Sequence, residues 1–228
     1  MARHINKKMK AALALFDPTK VYDVNEAADL VKKVSYAKFD ASVNIAIKLN
    51  LDTTKAEQQL RGTISLPNGT GKQIRILAIT DTMTKDEAKA AGIEFVGASE
   101  RIEEIKNGWL DFDLIITTPK FMPELSKLGK ILGPRGLMPN PKTQTVTNDI
   151  KSTAAEFKKG RFEYRTDSYG NIHSVIGKVS FSNEQLAQNI KAMIDIIKTK
   201  RPSTVKGDFL QNVVISPSMG PAIKVKFN

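Results

Sequence analysis

Hydrophobic positions along the chain change their spacing several times, and each change marks an element. Near the start, Met9, Leu13 and Phe16 fall on one helical face with lysines opposite. This predicts a short amphipathic helix over residues 6–16, ended by Asp17-Pro18. Ala27, Leu30, Val31 and Val34 repeat the helical spacing, with Asn25 placed as a cap and Glu26 in the first turn; the helix is expected to run to about residue 37. The period then drops to two. Val43, Ile45, Ile47 and Leu49 alternate with Ser42, Asn44, Ala46 and Lys48, the pattern of a strand with one buried face. A second strand is expected over 61–66, stopped by Pro67-Asn68-Gly69.

From Gln73 the organisation alternates between strand and helix. The apolar run 74–79 suits a strand buried on both faces. A helix over 84–91 is closed by Gly92, a short strand follows at 93–96, a helix with Ser99 as cap covers 99–107, and 114–117 is another strand. Residues 148–159 form the helix that leaves this region. Such alternation predicts an α/β three-layer, Rossmann-like domain with a mostly parallel sheet. No G-x-G-x-x-G follows its first strand, and Gly69-Thr70-Gly71-Lys72 fails as a phosphate loop because Leu66 occupies the first glycine position and Gln73 that of the Ser or Thr.

Strand alternation returns at 161–167; Ser168-Tyr169-Gly170-Asn171 supplies a turn, and 172–181 is expected to pair back as a hairpin. Asn183 is placed to cap a helix striped by Leu186, Ile190, Ile194 and Ile197. Strands at 209–215 and 222–227 flank a tight connection at 217–220. The two ends of the chain thus read as α+β, a hairpin-containing antiparallel sheet with helices on one face.

Charge sharpens this division. The chain carries a net +11, which points to a polyanionic partner. Residues 1–66 hold 11 Lys/Arg against 7 Asp/Glu and residues 159–228 hold 11 against 5, whereas 67–158 hold 13 against 12. Basic ends around a nearly neutral middle are what a nucleic-acid-binding domain built from both termini would give, with 67–158 inserted into it; solvated basic surfaces would give the same count.

Chemistry is sparse. The absence of cysteine excludes disulfides and thiolate chemistry, and two histidines, His4 and His173, leave little material for a metal cluster or a Ser-His-Asp set. No apolar run approaches the roughly 18 residues of a membrane span, and the basic start Met1-Ala2-Arg3-His4 lacks the apolar core of a secretory signal. No catalytic residue, metal or cofactor is expected.

The most distinctive stretch is Leu132-Gly133-Pro134-Arg135-Gly136-Leu137-Met138-Pro139-Asn140-Pro141-Lys142, followed by Thr145-Val146-Thr147. Its prolines forbid a long helix or central strand. By itself it is either a rigid connection or a glycine loop offering amides and Arg135 to a phosphate. With Ala37-Lys38-Phe39, Gln59-Leu60-Arg61-Gly62-Thr63 and Ser218-Met219-Gly220 it resembles the signature of the large-subunit ribosomal protein L-one family, along nearly the whole chain. Gln144, where a glycine is common, and Ser216-Pro217-Ser218, in place of a threonine-rich run, depart from that pattern.

The resemblance implies a discontinuous RNA-binding domain, 1–66 plus 159–228, with 67–158 inserted. It implies a monomer when free, cytoplasmic and ribosome-associated, that binds large-subunit rRNA of the mobile lateral stalk. It further implies assistance in releasing deacylated exit-site tRNA and repression of its own-operon mRNA, with no membrane partner. The RNA-binding residues it implies are Glu26, Lys38, Phe39, Ser42, Arg165, Asp167, His173, Ser218, Met219 and Gly220. From pattern alone Phe39 and Met219 read as core, and His173 equally suits a structural hydrogen bond. A free-standing RNA-binding regulator and a nucleotide-dependent enzyme built on the middle domain are the competing readings; the missing phosphate loop counts against the second.

Overall fold

The structure is a computed structural model that describes residues 6–227; the basic start with His4 lies outside the described residues. The first leg holds α1 (Lys7–Leu13), capped by the Asn6 side chain, then β1 (Val21–Tyr22), α2 (Val24–Lys33), β2 (Ser42–Leu49) and β3 (Arg61–Ser65). The α2 cap is Asp23, not Asn25, because β1 runs up to Tyr22 and the turn into the helix comes two residues earlier than the side-chain pattern suggests. The helix also ends at Lys33, short of 37, with Val34 as its C-cap.

The middle leg holds β4 (Ile76–Ile79), α3 (Lys85–Ala90), β5 (Phe95–Gly97), α4 (Ser99–Lys106), β6 (Leu114–Thr117), α5 (Met122–Ser126), α6 (Gly129–Leu132) and α7 (Ile150–Lys158). Thr84 and Glu87 close a capping box on α3. Ser99 is the first residue of α4 rather than its cap, which is Ala98. The return leg holds β7 (Arg161–Arg165), β8 (Asn171–Lys178), α8 (Asn183–Thr199), β9 (Leu210–Pro217) and β10 (Ile223–Val225). Ser182, not Asn183, caps α8, because its hydroxyl and Gln185 exchange the two bonds of a capping box.

Two compact units result, one from residues 1–71 and 163–228, the other from 72–162. In the first, five strands lie in the order β1-β10-β9-β2-β8, all antiparallel neighbours except the parallel pair β1 and β10. The inward set of β2, Val43, Ile45, Ile47 and Leu49, is fully buried. Helices α2 and α8 pack on the sheet and on each other, and their buried stripes include Ala27, Ala28 and Val31 on α2 and Leu186, Ile190, Met193 and Ile197 on α8.

The hairpin expected from 161–181 does not form. β7 pairs with β3 in a separate two-stranded sheet, and β8 joins β2 instead; the two segments meet at a bridge between Thr166 and Ile172 and at the bonds between Asp167 and Asn171 beside it. The backbone N–H and hydroxyl of Thr166 both donate to the Leu60 carbonyl (3.0 and 3.3 Å), drawing that strand away, while Ile172 and Ile176 of β8 are buried in the five-stranded sheet's core. A buried amide adds a knot: Asn189 on α8 donates to the carbonyls of Ile176 (2.7 Å) and Gly69 (2.9 Å) and accepts from the Asn68 N–H (3.2 Å).

In the second unit β4 lies between β5 and β6, both parallel to it. Two separate cores sandwich this sheet. Leu77, Ile79 and Ile115 pack with Ile102 and Ile105 of α4 and with Leu125 and Leu132. Ile76, Ala78 and Ile116 pack with Ala88 of α3 and with Ile150, Ala154 and Phe157 of α7. A parallel sheet covered on both faces is a three-layer arrangement.

Candidate nucleic-acid interface

The outward set of β2, Ser42, Asn44, Ala46 and Lys48, is half-buried. In register beside it stand Lys178, Val175, His173 and Asn171 on β8, and Ser216, Val214 and Asn212 opposite Asn44, Ala46 and Lys48 on β9. This mixed polar and small-apolar face separates two groups of candidate residues. Ser42 of the first lies four positions along β2 from Ala46, the partner of His173 of the second, about 13 Å at strand rise.

The first group meets where β2 begins and β9 ends. The Ser42 N–H donates to the Ser218 hydroxyl (3.1 Å); that hydroxyl donates to the Ser42 carbonyl (3.2 Å), which also accepts the Ser218 N–H (2.9 Å). Phe39 and Met219 are 58% and 49% exposed, so neither belongs to the core. Lys38 is exposed and makes no ion pair among the described residues. Nearby, Asp40 accepts the N–H (3.1 Å) and hydroxyl (2.9 Å) of Ser180, fixing the approach to β2. Gly220 sits at φ +154°, and a Cβ there would lie 2.6 Å from the Pro217 ring and 3.1 Å from the Val34 carbonyl. The close approach it permits in this structure is to its own chain.

The second group surrounds the turn between β7 and β8. The Asp167 carboxylate accepts the N–H groups of Tyr169 (2.8 Å) and Asn171 (2.8 Å) and the Asn171 amide (2.9 Å), and His173 Nε2 lies 3.6 Å from it. Burial opposes its ionisation, but these donors, with the His173 charge, outweigh that and hold its pKa at about 2. It is therefore a fixed anion that braces the turn. Arg165 and His173 are exposed beside it. Glu26 is brought to neither group by any hydrogen bond or ion pair among the described residues. It lies in the first turn of α2, eight residues before Val34, about 12 Å along the axis.

Sequence reasoning missed three elements of this surface: the Ser42–Ser218 clamp, the outward faces of β8 and β9, and Tyr169, which is 76% exposed. The alternation of β2 signalled an outward face, but its neighbours across the sheet depend on pairing that no local pattern specifies. In the described residues no cluster of His, Cys, Asp and Glu is arranged to hold a metal, and no helix is long and apolar enough to cross a membrane.

The charge surplus belongs chiefly to the unit that carries this surface: residues 1–71 and 163–228 hold 20 Lys/Arg against 12 Asp/Glu, and residues 72–162 hold 15 against 12. An open, mixed polar sheet face on the unit with the larger charge surplus suits a polyanionic partner. The model of the ribosomal protein L1p/L10e family matches residues 31–221, and the chain belongs to that family. It is 58% identical to the large ribosomal subunit protein uL1 of Mycoplasmoides gallisepticum over the whole of both chains. The proteins of the same name from Mycoplasma genitalium and Ureaplasma urealyticum are 58% and 54% identical over 98% of each chain.

Proposed function

We propose that this protein is a constituent of the large ribosomal subunit in the cytoplasm, and that the unit built from both chain ends binds large-subunit rRNA of the lateral stalk. The observation that carries the reading is the meeting of Lys38, Phe39 and Ser42 with Ser218, Met219 and Gly220 at one end of the five-stranded sheet, where β2 begins and β9 ends. Lysine and arginine neutralise phosphates there, while hydroxyls and exposed backbone reach ribose 2′-OH groups. Exposed Phe39 and Met219 offer apolar contact to sugar or base without loss of core packing.

In this reading the family signature lends the finer roles: moving with the stalk to help release deacylated tRNA from the exit site, and binding the protein's own message through a mimic of the rRNA site. The middle unit acts as the inserted module that the stalk positions. Footprinting on large-subunit rRNA tests the proposal. Protection is expected at one compact stalk site, weakened by Lys38→Ala and Ser42→Ala. A protein that binds its own message but neither footprints rRNA nor co-sediments with large subunits is a free regulator, and the proposal is then wrong.

A further inference from the structure

The turn between β7 and β8 carries an aromatic ring that the protein leaves outside while fixing the backbone beneath it. The Tyr169 N–H is held by Asp167 (2.8 Å), and its carbonyl accepts the Lys48 ammonium. Ser168 is tied through its carbonyl to the Thr53 hydroxyl (2.7 Å), and the Gly170 carbonyl accepts the Leu49 N–H (2.9 Å). Gly170, at φ +77° and buried, lets the chain close against Leu49. Yet the Tyr169 side chain is 76% exposed and makes no ring or cation contact among the described residues.

A tyrosine has only two side-chain torsions to order on binding, and here its backbone is already ordered. Its surroundings are polar and charged: the Lys48 ammonium bonded to its carbonyl, the Asp167 carboxylate on its N–H, and Thr53, Ser168 and Asn171 in the same turn network. Among the described residues none of the other exposed large hydrophobics, Leu15, Val21, Phe39 and Met219, belongs to this turn, whereas a protein-docking surface needs a contiguous apolar patch. A lone exposed ring on an ordered backbone, with a lysine beneath it, matches a different ligand, a nucleobase with a neighbouring phosphate.

Resting on the rRNA reading above, we propose that Tyr169 is a stacking platform for one unpaired nucleotide of the bound RNA, with Lys48 beside its phosphate. This extends the interface beyond the ten residues that the family resemblance implies, to the turn at the far end of the sheet face. Stacking is indifferent to base identity, so the contact adds affinity for an unpaired position without dictating its sequence.

The test uses the full chain and a stalk rRNA fragment in which each unpaired nucleotide in turn is replaced by 2-aminopurine. Tyr169→Ala is expected to weaken binding at least about fivefold, the lower end of what one base stack contributes. Tyr169→Phe should bind like the parent, and the salt dependence should be the same in all three. One 2-aminopurine position, quenched in the parent complex, should brighten in the Tyr169→Ala complex. Binding by Tyr169→Ala within twofold of the parent, with no fluorescence change, overturns this proposal alone. A changed salt slope overturns it as well, because the residue would then act through Lys48. A parent that fails to bind the fragment overturns the rRNA reading and this proposal with it.

Discussion

Ser218 clamps Ser42 through three hydrogen bonds, two of them made by its hydroxyl to the Ser42 backbone. The two residues are 176 positions apart, so this clamp joins the first leg of the chain to the last at the point where both meet the candidate RNA surface. The Ser42 hydroxyl itself is not part of the clamp.

The pair therefore separates architecture from recognition. Ser218→Ala removes two bonds and leaves the Ser42 N–H short of a partner, which should cost about 1 kcal/mol of stability as well as RNA affinity. Ser42→Ala keeps every clamp bond, so its effect should fall on RNA alone, several-fold in dissociation constant with the salt slope unchanged. Thermal melts beside salt titrations check both. A Ser42→Ala protein that binds like the parent would remove Ser42 from the interface.

Gly220→Ala should be harsher than any hydroxyl deletion. Its φ of +154° is one that side chains rarely adopt, and the new methyl would meet Pro217 at 2.6 Å. Either problem costs on the order of 1–3 kcal/mol, so the variant should melt well below the parent. The closest crowding comes from the Pro217 ring, with the Val34 carbonyl 3.1 Å away. Pro217→Ala combined with Gly220→Ala should then recover part of the loss; equal melting of the single and double variants would show that backbone strain alone decides.

The Asp167 pKa of about 2 lies below its ordinary 3.8, so folding is favoured by its ionised form. That contribution is complete above about pH 4 and is lost as pH falls towards 2. Asp167→Asn cannot lose a charge it lacks. Denaturant unfolding at pH 5 and at pH 2.5 should show the parent losing more stability between the two than Asp167→Asn does. In the parent, the protection of the Tyr169 and Asn171 amides, taken relative to their intrinsic exchange rates, should fall at the lower pH. Equal losses in both proteins would mean the turn does not need the charge.

Lys38 and Phe39 are neighbours and should fail differently. Neutralising one phosphate contact lowers the slope of log affinity against log salt by about 0.7–0.9, so Lys38→Ala should lose affinity at low salt and converge on the parent at high salt. Phe39→Ala should lose a constant factor at every salt concentration. Parallel lines for Lys38→Ala would remove it from the phosphate contacts.

Much of the fold follows from local pattern. The strict alternation from Ser42 to Leu49 reproduces β2, and the apolar run ending at Ile79 reproduces the central strand of the three-layer unit. Caps were misplaced where two candidates stand side by side, as Ser182 and Asn183 do, because the choice depends on whether Gln185 can reach back. The β7–β8 pairing failed for a deeper reason: the turn chemistry at 168–171 is genuine, but partner choice was decided by Leu60 and β2, more than a hundred residues upstream. The candidate site came from motif resemblance, which names residues and not their arrangement. It could not show that Asp167 braces a turn, or that Gly220 is demanded by Pro217 and Val34.

The proline-rich signature is where an RNA loop and a structural brace make opposite demands. Leu132 is fully buried, and Leu137 and Met138 pack against the same core. The Asn140 N–H donates to the Thr145 hydroxyl (2.8 Å), the Asn140 carbonyl accepts the Thr143 hydroxyl (2.9 Å), and Val146 bridges Thr117 at the end of β6. Arg135 is exposed. Gly133 caps α6 so closely that a Cβ would sit 2.6 Å from the Gly129 carbonyl, and Gly136 holds φ +69° with open space around it. Gly136→Val should thus cost about 1–2 kcal/mol through backbone strain alone, and Gly133→Ala should destabilise through collision. Both effects should appear in the fluorescence of Trp109, which packs on that core, while the unit of 1–71 and 163–228 keeps its rRNA affinity. Arg135→Ala should melt like the parent and bind nearly as well. Abolished binding in Arg135→Ala, beside an unchanged melt for Gly133→Ala, would make the signature a phosphate loop after all.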